Sequence, residues 1–263
     1  MSEEVQGRLR AAPHVWIGVA IWLVYVIVIY VVQLSTDIPY DALGDSASNL
    51  FLGAGLSLIA GAVLLAMTAT LLGWWRPALF ERAHSPRWPI VVPALMAFAM
   101  LLNLALTDWA SYDGAFFAAS LVLLLVGFTE EMATRGLLIV GLRSRFNELS
   151  VWFISTTLFA LMHLINALSG QALGPTLQQV GMAFLGGTVL YILRRTTGTL
   201  LWPMLLHGLW DFSTFAVQHG TPGRLAPLGG IVNLIAGIVG LAVVAFVIRG
   251  AHERISAPQP ATR

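Results

Sequence analysis

Three groups of residues in this 263-residue chain have the types and spacing to do chemistry. They are Glu130-Glu131 with Arg135, His163 with Asn166, and His207 with Asp211. The first group lies between the apolar segments Ala118 to Val126 and Leu137 to Val140, inside what reads as one long hydrophobic helix. A charge at the centre of a bilayer costs about 2.5–3.5 kcal/mol on insertion scales. Three charges within six residues therefore call for mutual pairing or for a site that uses them. Glu131 and Arg135 are four apart, share a helix face and can pair. Glu130 is rotated about 100° away and has no such partner. One glutamate reads as structural, the other as free. His207 and Asp211 also share a face, so Asp211 is the expected partner that orients or charges the imidazole.

Such a set can hydrolyse a bond without a nucleophilic side chain. A glutamate can act as general base, a neutral histidine can help orient a water, and a second histidine can donate a hydrogen bond to a developing oxyanion. The chain has no cysteine, which excludes disulfides, thiolate metal sites and cysteine nucleophiles. There is no His-Glu-x-x-His helix, no Gly-x-Ser-x-Gly elbow and no phosphate-cradling loop. No cofactor is demanded. A divalent metal such as zinc is the candidate, with Glu130, His163 and His207 as its ligands. Each group also has a plainer meaning: an ion pair, a core histidine on a carbonyl, a packing hydrogen bond. Taken together the plain meanings weaken, because ionisable groups within membrane spans usually mark a pathway or a site.

The elements that must position these residues follow from composition. The chain is 57% hydrophobic and 10% charged, against about 25% charged in soluble domains. An all-α, polytopic membrane bundle of about eight helices results, a multi-pass protein of the cell membrane. Spans are expected at 16–34, 50–74, 89–106, 114–141, 151–168, 175–193, 198–217 and 230–248, with the fourth and seventh weakened by their charges. The first apolar run is too long for a signal-peptide core, and no small-residue cleavage site follows it. Residues 1–15 form a short lead, 16–248 one transmembrane domain with its catalytic core at about 115–215, and 249–263 a tail expected to be disordered from Ile255. From the nearest arginine-side span ends, Glu130, His163 and His207 lie roughly 16, 18 and 14 Å deep at 1.5 Å per residue, so the three can meet in one plane.

All fourteen basic residues are arginines. Twelve fall on one side of the eight-span arrangement and only Arg224 on the other, with Asp37, Asp41, Asp45, Asp108 and Asp113. The positive-inside rule then makes both termini cytoplasmic. The net charge of +1 says nothing about nucleic acid, and no basic stripe points to it, so no nucleic-acid partner is expected. Ser57, Thr68, Asn103 and Asn233 are expected to join helices. Trp16, Trp74, Trp75, Trp88 and Trp202 fit an interfacial belt.

Glu130-Glu131-x-x-x-Arg135, Phe159-x-x-x-His163 and His207-x-x-x-Asp211 resemble the three signature motifs of the CPBP family, the CAAX-processing and bacteriocin-processing intramembrane proteases. The stretches from Leu185 to Tyr191, from Arg194 to Gly198 and from Leu201 to His207 are similar to that family too. The resemblance covers about 115–215. It implies an eight-helix bundle cleaving peptide bonds near the cytoplasmic face, with protein or peptide substrates arriving from the bilayer or that face. It implies Glu130 as the base that activates water, His163 as its helper, His207 and Asp211 on the oxyanion side, and Arg135 holding Glu131. The CAAX branch has Asn where this chain has Asp211. An ionised Asp would repel an oxyanion, so Asp211 must be protonated, orient His207 or help bind metal, and the His-orienting role is preferred. Two rivals stand beside the endopeptidase. One is a catalytically idle immunity or binding scaffold of the same fold. The other is a proton-coupled transporter, for which Gly186-Gly187 would supply a helix break.

Overall fold

The computed structural model describes residues 9–83, 85–251 and 253, so the proposed disordered tail lies outside the described residues. Eight long helices follow one another: α1 (Val15–Leu34), α2 (Ala47–Leu72), α3 (Trp88–Leu106), α4 (Gly114–Leu142), α5 (Glu148–Leu168), α6 (Leu173–Thr197), α7 (Leu201–Gln218) and α8 (Leu228–Ile248). Seven of them are long and apolar enough to cross a membrane; α7, which carries His207 and Asp211, is outside that group. The chain is thus a polytopic all-α bundle, with no β-strand among the described residues. Helices suit this composition because hydrocarbon offers the backbone no partner, so each segment must bond its own N–H and C=O groups. Side chains of Ser46, Asp113 and Asn147 accept the free N–H groups at the starts of α2, α4 and α5, as N-caps do.

Two helices contain π-helical stretches. Phe51–Gly55 in α2 and Met132–Leu138 in α4 are π-helical, the second directly after Glu130-Glu131. By contrast, α6 runs unbroken through Gly186-Gly187, so the break a transporter would use there is not present. In the bundle α4 packs on α7 and α1, α6 on α5, α7 and α8, and α3 on α7 and α8.

The arginine-rich end is closed by a layer of buried ion pairs. Glu81, in the loop after α2, meets Arg143 at 2.9 Å and also pairs with Arg194 and Arg195. Burial alone would raise the Glu81 carboxyl, but Arg143, Arg194 and Arg195 together hold it well below the usual carboxylate range. Glu148 takes Arg143 and the Tyr191 hydroxyl, each at 2.5 Å. Glu253 takes Arg195 at 2.7 Å and the backbone N–H groups of Arg82 and Ala83. Three of the twelve arginines on that side therefore serve the interior. Trp74 also departs from the belt expected of it: it is fully buried and donates to the Ala11 carbonyl at 2.9 Å. Asn103 does bridge helices, donating to Ser213, whereas Thr68 bonds back to Leu64 within its own helix.

Candidate active site

Glu131 is the hub of the polar cluster. It is fully buried, and its Oε1 accepts hydrogen bonds from Arg135 Nη1 and, at 2.9 Å, from His207 Nδ1. The Arg135 guanidinium lies 4.0 Å over the Phe159 ring and donates through Nε to the Gly187 carbonyl at 3.3 Å, adding a cation–π contact to the ion pair. A Cβ at position 187 would run into Arg135, Phe159 and Thr156, so only glycine leaves the guanidinium its place.

Glu130, one residue earlier, faces the other way. Its Oε2 stands 4.0 Å from His163 Nε2 and 3.8 Å from His207 Nε2, and this buried oxygen makes no hydrogen bond to the protein. His163 is fixed from behind. Its Nδ1 is 3.0 Å from the Phe159 carbonyl, which can only accept, so Nδ1 carries the proton and Nε2 of the neutral ring is an acceptor. The Phe159 ring packs edgewise on both histidines, at 80° and a centroid distance of 5.3 Å to His163 and at 75° and 5.6 Å to His207.

The approach of α4 to α7 sets the spacing of this cluster. A Cβ on Gly127 would collide with the Met204 carbonyl, and one on Gly208 would come within 2.6 Å of the Leu124 carbonyl. Two facing glycines thus let the backbones touch and bring the glutamates within reach of His207.

Asp211 stands beside His207, as helical spacing predicts, but does not hydrogen-bond to it. Its Oδ2 is 3.8 Å from His207 Nε2, too long for a hydrogen bond, and it lies on the Nε2 side of the ring. The ring is oriented through Nδ1 by Glu131 instead. Helical spacing put Asp211 near His207, but a carboxylate on the neighbouring helix takes the imidazole N–H. Asp211 is a third exposed and lines the cavity wall. Asn166 donates to Gln179 at 3.0 Å, tying α5 to α6 along the same wall.

The cavity has a volume of about 930 Å³ and includes Glu130, His163 and Asp211 in its lining. It is walled by α1, α2, α4, α5, α6 and α7 and reaches the loops at Tyr40–Asp45, Gln171 and Gly220. Those loops lie at the end opposite the arginine layer. Through this cavity Glu130 thus opens toward the end opposite the arginine layer.

The proposed metal set does not assemble into a ligand cage. Ligands about 2.0–2.1 Å from a tetrahedral zinc stand roughly 3.3–3.4 Å apart, less than the 3.8 and 4.0 Å separating Glu130 from the two imidazoles. Among the described residues no group of three His, Asp or Glu side chains is placed to hold a metal ion. A water can hydrogen-bond across gaps of this size.

A comparison with curated proteins found no match. The family model described as Type II CAAX prenyl endopeptidase Rce1-like matches residues 112–213, the stretch from the entry of α4 to just past Asp211. The matched segment holds every residue of the cluster around Glu130 and Glu131, and over that segment the chain is similar to the Rce1-like CAAX prenyl endopeptidases.

Proposed function

We propose that the chain hydrolyses peptide bonds of membrane-associated substrates with a water activated by Glu130. The observation that carries this is the Glu130 Oε2 atom, buried, without a protein partner, and facing two imidazole nitrogens at water-bridging distance. A water there gives one hydrogen to Glu130 and the other to His163 Nε2, which leaves its lone pairs for the substrate carbonyl. The water oxygen attacks the carbonyl carbon while Glu130 takes its proton. The carbonyl oxygen gains the negative charge and is met by His207, which in this role carries protons on both ring nitrogens: Nδ1–H to Glu131 and Nε2–H to the oxyanion. Collapse of the tetrahedral intermediate breaks the C–N bond as Glu130 returns the proton to the leaving amine. Arg135 acts through Glu131 and is a positioning residue. No step is routed through a metal.

Membrane proteomes of cells carrying wild-type or Glu130→Gln protein test this directly. New peptide termini should appear only with wild type. Their appearance with both proteins would end the assignment of Glu130 as the base.

A further inference from the structure

The wall of the cavity has one sign of charge. Asp41, Asp45, Glu130 and Asp211 contribute carboxylates, six further lining residues are carboxamides, and none of the described arginines lines it; the chain contains no lysine. The groups on the wall able to become positive are His163 and His219. His163 has Nδ1 committed to the Phe159 carbonyl. His219 is stacked on the Phe116 ring at 3.9 Å and meets Tyr112 edge-on at 4.8 Å. Arg135 is turned away, sandwiched between Glu131 and Phe159.

A CaaX sequence lies at a chain terminus and so ends in a free carboxylate. Proteins capture such a group with Arg, Lys or a nest of backbone N–H groups, and this wall offers carboxylates instead. Val26, Ile29, Leu58, Val126 and Met162 form an apolar part of the wall, while Asp41 and Asp45 stand exposed at the mouth. The volume of about 930 Å³ is at the upper end of ligand cavities, about 300–1,000 Å³, with room for several residues of an extended chain.

We infer that this protein takes an internal, extended polypeptide segment, with apolar residues beside the scissile bond and Arg or Lys residues meeting Asp41 and Asp45 at the mouth, rather than a chain end bearing a free carboxylate. The inference rests on the peptidase reading of the site, and binding can be measured apart from cleavage. The probes are four dansylated decapeptides with a Leu-Val-Ala-Leu centre, flanked by two Arg or two Glu and ending in an amide or a free acid. Their Kd values are measured on Glu130→Gln protein in nanodiscs. Arg-flanked amides should bind roughly five- to tenfold more tightly than Glu-flanked ones and than the corresponding free acids, the size of a partly screened charge interaction. Asp41→Asn with Asp45→Asn should erase the Arg/Glu preference, and Asp45→Arg alone should invert it. Equal or tighter binding of the Glu-flanked or free-acid peptides overturns the inference. So does a preference that survives both sets of variants, or an absence of binding by all four peptides. Wild-type protein that binds with the stated preference yet cuts nothing would sink the peptidase reading and leave the preference standing. Wild-type protein that cuts free acids as fast as amides would do the reverse.

Discussion

The two ends of the bundle bury carboxylates in opposite ways. At the arginine end, Glu81 is met by three guanidinium groups, and Glu148 and Glu253 each share one of the same arginines. At the cavity end, Glu130 keeps an oxygen free of any hydrogen bond to the described residues, and Asp211 stands 3.8 Å from an imidazole nitrogen. Glu131 stands between the two regimes: one oxygen is shared by Arg135 and His207, and the other has no partner. The difference teaches that pairing, more than charge or burial, separates a carboxylate that holds the fold from one available for proton transfer. Fully compensated groups resist change, while a buried acceptor without a donor remains free to take a proton from water.

The sharpest test of the two-ended picture is all or none. The chain has no cysteine, so single cysteines report cleanly. With the arginine end in the cytoplasm, an impermeant maleimide added to intact cells should label Asp45→Cys at the cavity mouth and leave Arg87→Cys untouched. The reverse pattern would put the mouth in the cytoplasm.

Next in size is the base itself. Glu130→Gln should lower peptide hydrolysis by about 10²–10⁴-fold, the usual worth of a general base, with an unchanged melting temperature in detergent. At the other end Glu81→Gln should do the opposite. It leaves three buried arginines without their shared partner, and breaking such a group costs about 3–5 kcal/mol, seen as a large fall in melting temperature. If both variants lost stability and activity alike, the division between the two ends would fail. The depressed Glu81 carboxyl adds a pH signature. Its contribution is fully present above the ordinary glutamate pKa of about 4.3 and is lost as pH falls from there toward its folded value. Melting temperatures of wild type should therefore carry an acid-side decline below about pH 4 that Glu81→Gln lacks.

The smallest effects separate the two candidates for holding His207. Glu131→Gln should reduce turnover on the order of 10–100-fold, as loss of a carboxylate that orients a functional histidine does, and should also lower the melting temperature because Arg135 loses its partner. Asp211→Asn should stay within about fivefold, the effect of one partly screened charge. A larger loss for Asp211→Asn than for Glu131→Gln would return the orienting role to Asp211.

How much of this was legible in the sequence depended on distance along the chain. Hydrophobic runs placed all eight helices, because an apolar stretch of about twenty residues has few alternatives in a bilayer. The Glu131–Arg135 pair follows from spacing on one helix, and equal depth allowed Glu130, His163 and His207 to meet. Contacts between helices were less visible. Periodicity along α4 gives the angle between Glu130 and Glu131 but not which one faces α7, and the π-helical turn at Met132–Leu138 has no signature in residue type. Arg143, Arg194 and Arg195 read as loop charges because their partner Glu81 is 62 to 114 residues away. Trp74, at a helix end, gave no sign that Ala11 would fold back to meet it.

The facing pair Gly127 and Gly208 gives the site an unusual kind of gauge. The distance between acid and imidazole is set by two methyl groups that are not there, on backbone that never touches substrate. Side chains lining the cavity can be exchanged to alter what enters without moving the reactive atoms, since those atoms are spaced by the contact of one main chain with another. Recognition and chemistry can therefore diverge independently, with the walls free to drift while the crossing of α4 and α7 keeps the working gap constant.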